Sequence, residues 1–145
     1  MKSQLFTPEN ATMLLIDHQV GTMGWVGSAS LEEIKMNTIA LARAADAVGM
    51  PLILTSSMED QAQGPLFEEL QQAVPEAYAN RVLRGGVVDS MKDDGFAKAV
   101  KDSGRKNLII AGITTDVCVV YPAITAVEEG NNVQVVVDGS GSPTQ

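Results

Sequence analysis

Four short apolar runs, separated by amphipathic segments, constrain this chain most. They are ATMLLID (11–17), PLILTSS (51–57), NLIIAGI (107–113) and NVQVVVDG (132–139). Apolar runs of this length read as strands buried on both faces, the mark of a parallel sheet. Parallel neighbours cannot be joined by a tight turn and need a crossover, usually a helix. YANRVL (78–83) is a weaker strand candidate, and its imperfect alternation suits a sheet edge.

The segments between the runs carry helix signals. Ser30-Leu31-Glu32-Glu33 is a capping box, in which the Ser30 oxygen takes an orphan N–H and Glu33 reaches back. Leu31, Ile34, Leu41, Ala45 and Val48 then share one helical face. Gly49 supplies the C-terminal cap and Pro51 blocks continuation. Further helices are predicted over 65–74, between Pro65 and Pro75, over 93–103 before Gly104, and over 116–129 before Gly130. The alternation β-α-β-α-β-α-β-α-β predicts an α/β fold, a three-layer α/β/α sandwich. Its sheet is doubly wound and parallel in order 3-2-1-4-5. The 145 residues suit a single domain spanning 1–145. The fifth strand is expected to end at Asp138, close to the last residues GSGSPTQ. Either that strand is a sheet edge, or the chain is a C-terminally truncated part of a longer product.

Composition narrows the partners. A formal net charge of −8 excludes the Lys/Arg patches that nucleic acid or an anionic membrane surface requires. No apolar run approaches the ~18 residues needed to span a bilayer. One cysteine cannot form an internal disulfide. The opening MKSQLFTPENATM has no apolar core followed by a cleavage site. These features predict a soluble protein of the cytoplasm, where thiols stay reduced, and the acidic balance alone names no partner.

The topology then joins two distant reactive side chains. Strands 1 and 4 are neighbours where the strand order reverses, and ligands bind outside the carboxyl ends of strands at such a point. The first strand ends at Asp17, and the fourth leads to Cys118 in GITTDVCVVYP (112–122). Orphan N–H groups at a helix start stabilise a thiolate and can hold an oxyanion. Asp17 is placed to accept the thiol proton. The alternative is that Cys118 packs against the sheet and Asp17 caps a loop.

LLIDHQ (14–19), GITTDVCV (112–119) and VVDGSGS (136–142) resemble the isochorismatase-like cysteine hydrolases. LILTSS with GPLFEEL, and AVEEGNNVQVVVD, extend the resemblance over essentially the whole chain. It implies a catalytic Asp-Lys-Cys triad in which Asp17 is the acid and Cys118 the nucleophile. The basic position falls on Arg84 in RVLRGG (81–86), with Arg81 as its competitor. Arg cannot shuttle a proton, so its part would be electrostatic. The resemblance further implies a cis peptide at Ile113–Thr114, with the Thr114 and Cys118 N–H groups as oxyanion hole. It implies a homo-oligomer, ring-like in the nearest subgroup, and cleavage of an amide-type C–N bond through a Cys thioester.

Other residues carry looser expectations. One histidine, His18, cannot build a zinc site, which takes three or four protein ligands. No metal and no cofactor is expected, and His18 is expected to pack behind strand 1. Gln19 could hydrogen-bond a substrate carbonyl. Trp25, in GTMGWVGS (21–28), either rides a glycine-hinged lid or fills a subunit interface. Tyr121, one helical turn after Cys118, is a candidate pocket residue. Three rival readings stand beside this one. Isochorismate-type ether hydrolysis does without the Cys. A catalytically inactive or redox-responsive protein could keep the fold. A flavodoxin-like module would need a phosphate loop that DHQVGTMGWVG does not supply.

Overall fold

The structure, a computed structural model, describes residues 5–145. Residues 1–4, at the head of the segment read for a leader, lie outside the described residues. Five parallel strands form one sheet: β1 (Ala11–Ile16), β2 (Leu52–Ser57), β3 (Val82–Arg84), β4 (Asn107–Gly112) and β5 (Asn132–Val135). Their order is β3-β2-β1-β4-β5, as the alternation predicts. The helices are α1 (Val20–Met23), α2 (Leu31–Ala47), α3 (Glu68–Ala73), α4 (Pro75–Ala79), α5 (Asp94–Asp102) and α6 (Val120–Glu128).

The central strand β1 is buried at every position. Its alternate side chains serve the two faces of the sheet. Met13 and Leu15 join a core with Ile34, Ala42 and Ala45 of α2, Leu70 of α3 and Tyr78 of α4. Leu14 and Ile16 join a second core with Phe96 and Val100 of α5 and Ala126 of α6. Burial on both faces is why β1 reads as an unbroken apolar run. The register gathers the carboxyl ends of the strands: Ile16 lies beside Thr55 on one side and Gly112 on the other, and Ser57 lies beside Arg84, two residues further on.

Several elements differ from their sequence reading. Tyr78 and Ala79 belong to α4, so β3 is only three residues long. Pro75 occupies the first helical turn, where its fixed φ favours a helix start. Tyr78 is then buried, with its hydroxyl donating to the Leu66 carbonyl at 3.3 Å. The expected 65–74 helix shrinks to α3 for the same reason. In α2 the Ser30 hydroxyl accepts from the Glu33 N–H as expected, at 3.2 Å. Its core stripe, however, is Ile34, Thr38, Ala42 and Ala45, while Leu31 and Val48 are exposed. Thr38 tolerates burial because its hydroxyl donates to the Ile34 carbonyl at 2.7 Å. The run NVQVVVDG is not buried on both faces: β5 is an outer strand, mostly exposed, and gives way to a 3-10 turn at Val137–Gly139. Finally, the helix expected over 116–129 opens with a π turn at Thr115–Val119.

The segment after β5 returns to the sheet. Gly141 bridges Ile113 in parallel, and its carbonyl accepts from the Thr115 N–H at 2.9 Å. Ser140 Oγ accepts from the Gly112 N–H at 3.1 Å. The Ser142 carbonyl accepts from the N–H groups of Gly27 and Ser28. His18 completes the attachment from the other side, with Nε2 donating to the Gly139 carbonyl at 2.8 Å. His18 is wholly buried, as expected, and burial lowers its pKa from 6.5 to about 4. No helix among the described residues is long and apolar enough to cross a membrane.

His18 therefore makes stability depend on pH. The unfolded chain takes up a proton near pH 6.5, whereas the folded imidazole stays neutral down to about 4. Stability contributed by the neutral ring is complete above that upper value and falls as pH drops through the window. Urea midpoints should show wild type losing about 1–2 kcal/mol between about pH 7 and about pH 5. His18→Gln should lose distinctly less over the same interval; an equal loss would assign the effect elsewhere.

Candidate active site

Asp17 is the first residue beyond β1, and its φ of 59° lies in the left-handed region. Asp tolerates that conformation better than most residues, and such outliers concentrate at functional sites. The backbone is fixed there: the Asp17 N–H donates to the Thr55 carbonyl at 3.0 Å, and its carbonyl accepts from Gln19 at 2.7 Å. The carboxylate consequently lies at the carboxyl end of the sheet, buried to 1% exposure.

Arg84, the last residue of β3, reaches past the end of β2 to meet it. Nη1 donates to Asp17 Oδ1 at 2.7 Å, and Nη2 donates to Oδ2 at 3.0 Å. Nη1 also donates to Thr55 Oγ1 at 3.0 Å. Nε and Nη2 both donate to the Val87 carbonyl, at 3.3 and 3.2 Å. All five guanidinium N–H groups are thus engaged. Arg84 is only 3% exposed. A desolvated pair is tolerable only with this geometry and these additional bonds. Thr55 and Val87, which complete the shell, carry no sequence signal: one is an ordinary strand residue and the other acts through its backbone.

The competitor, Arg81, is engaged elsewhere. Its Nε and Nη2 donate to the two carboxylate oxygens of Glu59 at 2.7 and 2.9 Å, and it stacks over Tyr78 at 4.4 Å. The hydrogen bonds from Arg81 hold Glu59 below the usual carboxylate range.

Cys118 sits half-buried in the π turn. The Asp17 carboxylate and the Thr114 backbone amide are among the groups that act on its thiol. The expectation of a thiol ready to ionise is corrected here: its pKa is pushed up to about 12. Burial is the largest cause, followed by the Asp17 charge and the acceptance of the thiol proton by that carboxylate. The Thr114 N–H and the Arg84 charge act in the opposite direction and do not offset these. A helix start favours a thiolate only where no anion stands against the sulfur. The Ile113–Thr114 peptide bond is cis, as the resemblance implies.

The remaining candidates are placed differently. Gln19 is fully buried and its amide is engaged: Nε2 donates to the Ser57 and Gly64 carbonyls at 2.8 and 2.5 Å, and Oε1 accepts from the Ser57 N–H at 2.9 Å. It fastens the loops after β1 and β2 together, and both of its N–H groups are taken, so it has no donor left for a substrate carbonyl. Trp25 is 55% exposed. The glycines beside it are close contacts, not hinges: a Cβ on Gly21 would stand 1.9 Å from the Ala62 carbonyl oxygen, and one on Gly27 2.4 Å from that of Pro143. Tyr121 is 52% exposed. It lies in the first turn of α6, directly after the π turn that holds Cys118. Among the described residues, no three His, Cys, Asp or Glu side chains form a metal-sized group.

A family model for the isochorismatase domain matches residues 11–145. The chain belongs to the isochorismatase family. The probable hydrolase YcaC of Escherichia coli is 41% identical over 133 residues, covering 92% of this chain and 63% of that protein. The chain therefore spans less than two thirds of the length of this curated relative. YcaC of Pseudomonas aeruginosa, solved with hexane-2,5-diol and covalent acrylamide, has a TM-score of 0.93 at 41% identity, covering 99% of this chain and 70% of that one. The E. coli YcaC structure, an octameric hydrolase of unknown specificity, gives 0.92 at 39% identity over the same shares.

Two substitutions follow from the geometry. Arg84→Gln leaves the Asp17 carboxylate buried without its partner and should cost about 3–5 kcal/mol in urea unfolding. Asp17→Asn removes the anion facing the sulfur and should lower the thiol pKa. Reaction with methyl methanethiosulfonate, a small neutral probe that is not an amide, should then run at least tenfold faster than wild type near neutral pH. A slower reaction would show that the carboxylate does not hold the proton on Cys118.

Proposed function

We propose that this chain is a cysteine hydrolase that cleaves an amide-type C–N bond of a small molecule. The observation that carries this reading is a thiol facing a buried carboxylate whose other side is clamped by a permanent cation. Asp17 takes the proton from Cys118 Sγ as sulfur attacks the carbonyl carbon and the C–S bond forms. The Thr114 and Cys118 N–H groups hold the resulting oxyanion, a role supported by the Thr114 amide facing the sulfur. The C–N bond then breaks, and Asp17 returns the proton to the leaving amine. Water adds to the thioester, the acid product departs, and the thiol is restored. No metal or other cofactor enters this route.

A thiol pKa of about 12 is compatible with this chemistry. Moving the proton from sulfur to Asp17 changes no net charge in the buried cluster. Arg84 is balanced by the carboxylate before the transfer and by the thiolate after it. The same high pKa weighs against a redox-responsive thiol, which depends on thiolate character and exposure. Arg84 offers no free N–H to a substrate carboxylate, because all five are engaged. That favours an uncharged acyl group at the reacting centre over isochorismate-type substrates.

Assembly as a homo-oligomer completes the proposal, supported by the octameric state of the E. coli relative. Exposed Trp25 suits a subunit interface, where aromatic residues are enriched. Tyr121 is proposed to contact substrate only from the rim. A single domain in a reducing compartment such as the cytoplasm fits a catalytic thiol that must remain unoxidised.

The decisive test is a panel of small neutral amides with mass spectrometry of the enzyme during turnover. An acyl adduct should appear on Cys118, the only cysteine, and Cys118→Ser should not turn over. Asp17→Asn should lose roughly 10²–10⁴-fold in turnover even though its thiol ionises more readily. Full amide turnover by Asp17→Asn would remove the carboxylate from the mechanism.

A further inference from the structure

Thr55 is the point at which three strands meet the reacting centre. Lying beside Ile16 on β2, it is fully buried. Its backbone carbonyl accepts from the Asp17 N–H at 3.0 Å and so fixes the carboxylate's own backbone. Its hydroxyl donates to the Val82 carbonyl of β3 at 2.8 Å. With that proton committed, the oxygen is left with acceptor capacity only, and it accepts from Arg84 Nη1 at 3.0 Å.

We propose that Thr55 is a positioning residue that holds the Arg84 guanidinium in the plane that grips both oxygens of Asp17, and through it sets the proton affinity of Cys118. This rests on the cysteine-hydrolase reading above, and it concerns how that cluster is held.

The reasoning is one of counting. Nη1 has two N–H groups, one directed at Asp17 Oδ1 and the other at Thr55. Nε and the second Nη2 proton go to Val87, on a loop beyond β3. Without Thr55 Oγ1, one N–H is buried with no acceptor, and a buried unsatisfied donor pulls its group toward a new partner. The remaining anchor, a single loop carbonyl at 3.2–3.3 Å, cannot fix the rotation of the guanidinium by itself. Asp17 would then be less well neutralised, its field at the sulfur would grow, and the proton would be held on Cys118 more tightly. A hydroxyl is required for this, whereas the methyl of Thr55 is not. Serine should therefore substitute, and valine, which matches threonine in shape, should not.

The experiment measures the rate of methyl methanethiosulfonate reaction with Cys118 between about pH 7 and about pH 10, where the rate follows the thiolate fraction. The proteins are wild type, Thr55→Val, Thr55→Ser and Asp17→Asn. Thr55→Val should react slower than wild type by about threefold or more at every pH, as a parallel displacement of the profile equivalent to about half a pKa unit or more. Thr55→Ser should lie within about twofold of wild type, and Asp17→Asn should be faster. If Asp17→Asn is faster but Thr55→Val matches wild type, Thr55 only packs, and the proposal is overturned while the cluster stands. If Asp17→Asn also matches wild type, the carboxylate–thiol reading itself has failed. Should Thr55→Val not fold, Thr55→Ala compared with Thr55→Ser carries the same sign, and equal rates in that pair overturn the proposal.

Discussion

The bidentate pair between Arg84 and Asp17 is the interaction on which the rest of the site depends. Neither ion could be kept out of water alone. Their meeting requires β3 to run two residues past the rung of Ile16, Thr55 and Val82, with β2 between it and β1, and that requires the register of all three strands. It also requires a left-handed residue at Asp17 to direct the carboxylate across the strand ends. A site that begins as a charge problem is thus solved by sheet geometry. The partly exposed pair of Arg81 and Glu59 shows the contrast. It has similar bidentate geometry but lies in a wetter place, where such pairs are worth little and constrain little.

Burial, together with the Asp17 carboxylate, explains why the Cys118 thiol keeps its proton. Cysteine sites are often pictured as poised thiolates, drawn down in pKa by a helix start. Here the sulfur is half-buried and acted on by an anion, and both hold the proton on it. The π turn contributes by placing Cys118 next to both the Thr114 amide and the Asp17 side chain. An ordinary α-helical start would present a different set of N–H groups at that point.

Much of this was legible in the sequence because it follows from periodicity and topology. The four apolar runs gave the sheet, its order, and the convergence of Asp17 with Cys118 across nearly the whole chain. Arg84 was legible through family resemblance, and Arg81 could be set aside only when its partner Glu59 was seen. What stayed hidden depends on where side-chain polar atoms point. Gln19 has the same composition whether it faces a substrate or clamps two loops. The high thiol pKa reflects burial and an anion contact, neither of which a helix-start pattern reports. Tyr78 misled because its aromatic ring suits a strand as well as a helix, and Pro75 decided the matter locally. Thr55 gave no sign at all, being one more β-branched residue in a buried run.

The pairing of β1 with β4 has a consequence for the order of events in folding. These two central strands are far apart in sequence, with β2 and β3 between them in the chain, and their register is continuous from Ala11–Asn107 to Ile16–Gly112. Closing so long a loop carries an entropic cost before the contacts that reward it exist, so such pairings form slowly. The Asp17–Cys118 contact lies just beyond the last rung of that ladder. A chain caught partway, with β1–β2 paired and β4 still searching, holds its lone thiol away from the Asp17 carboxylate. The site is therefore among the last features to assemble, and its presence reports that the central sheet is complete.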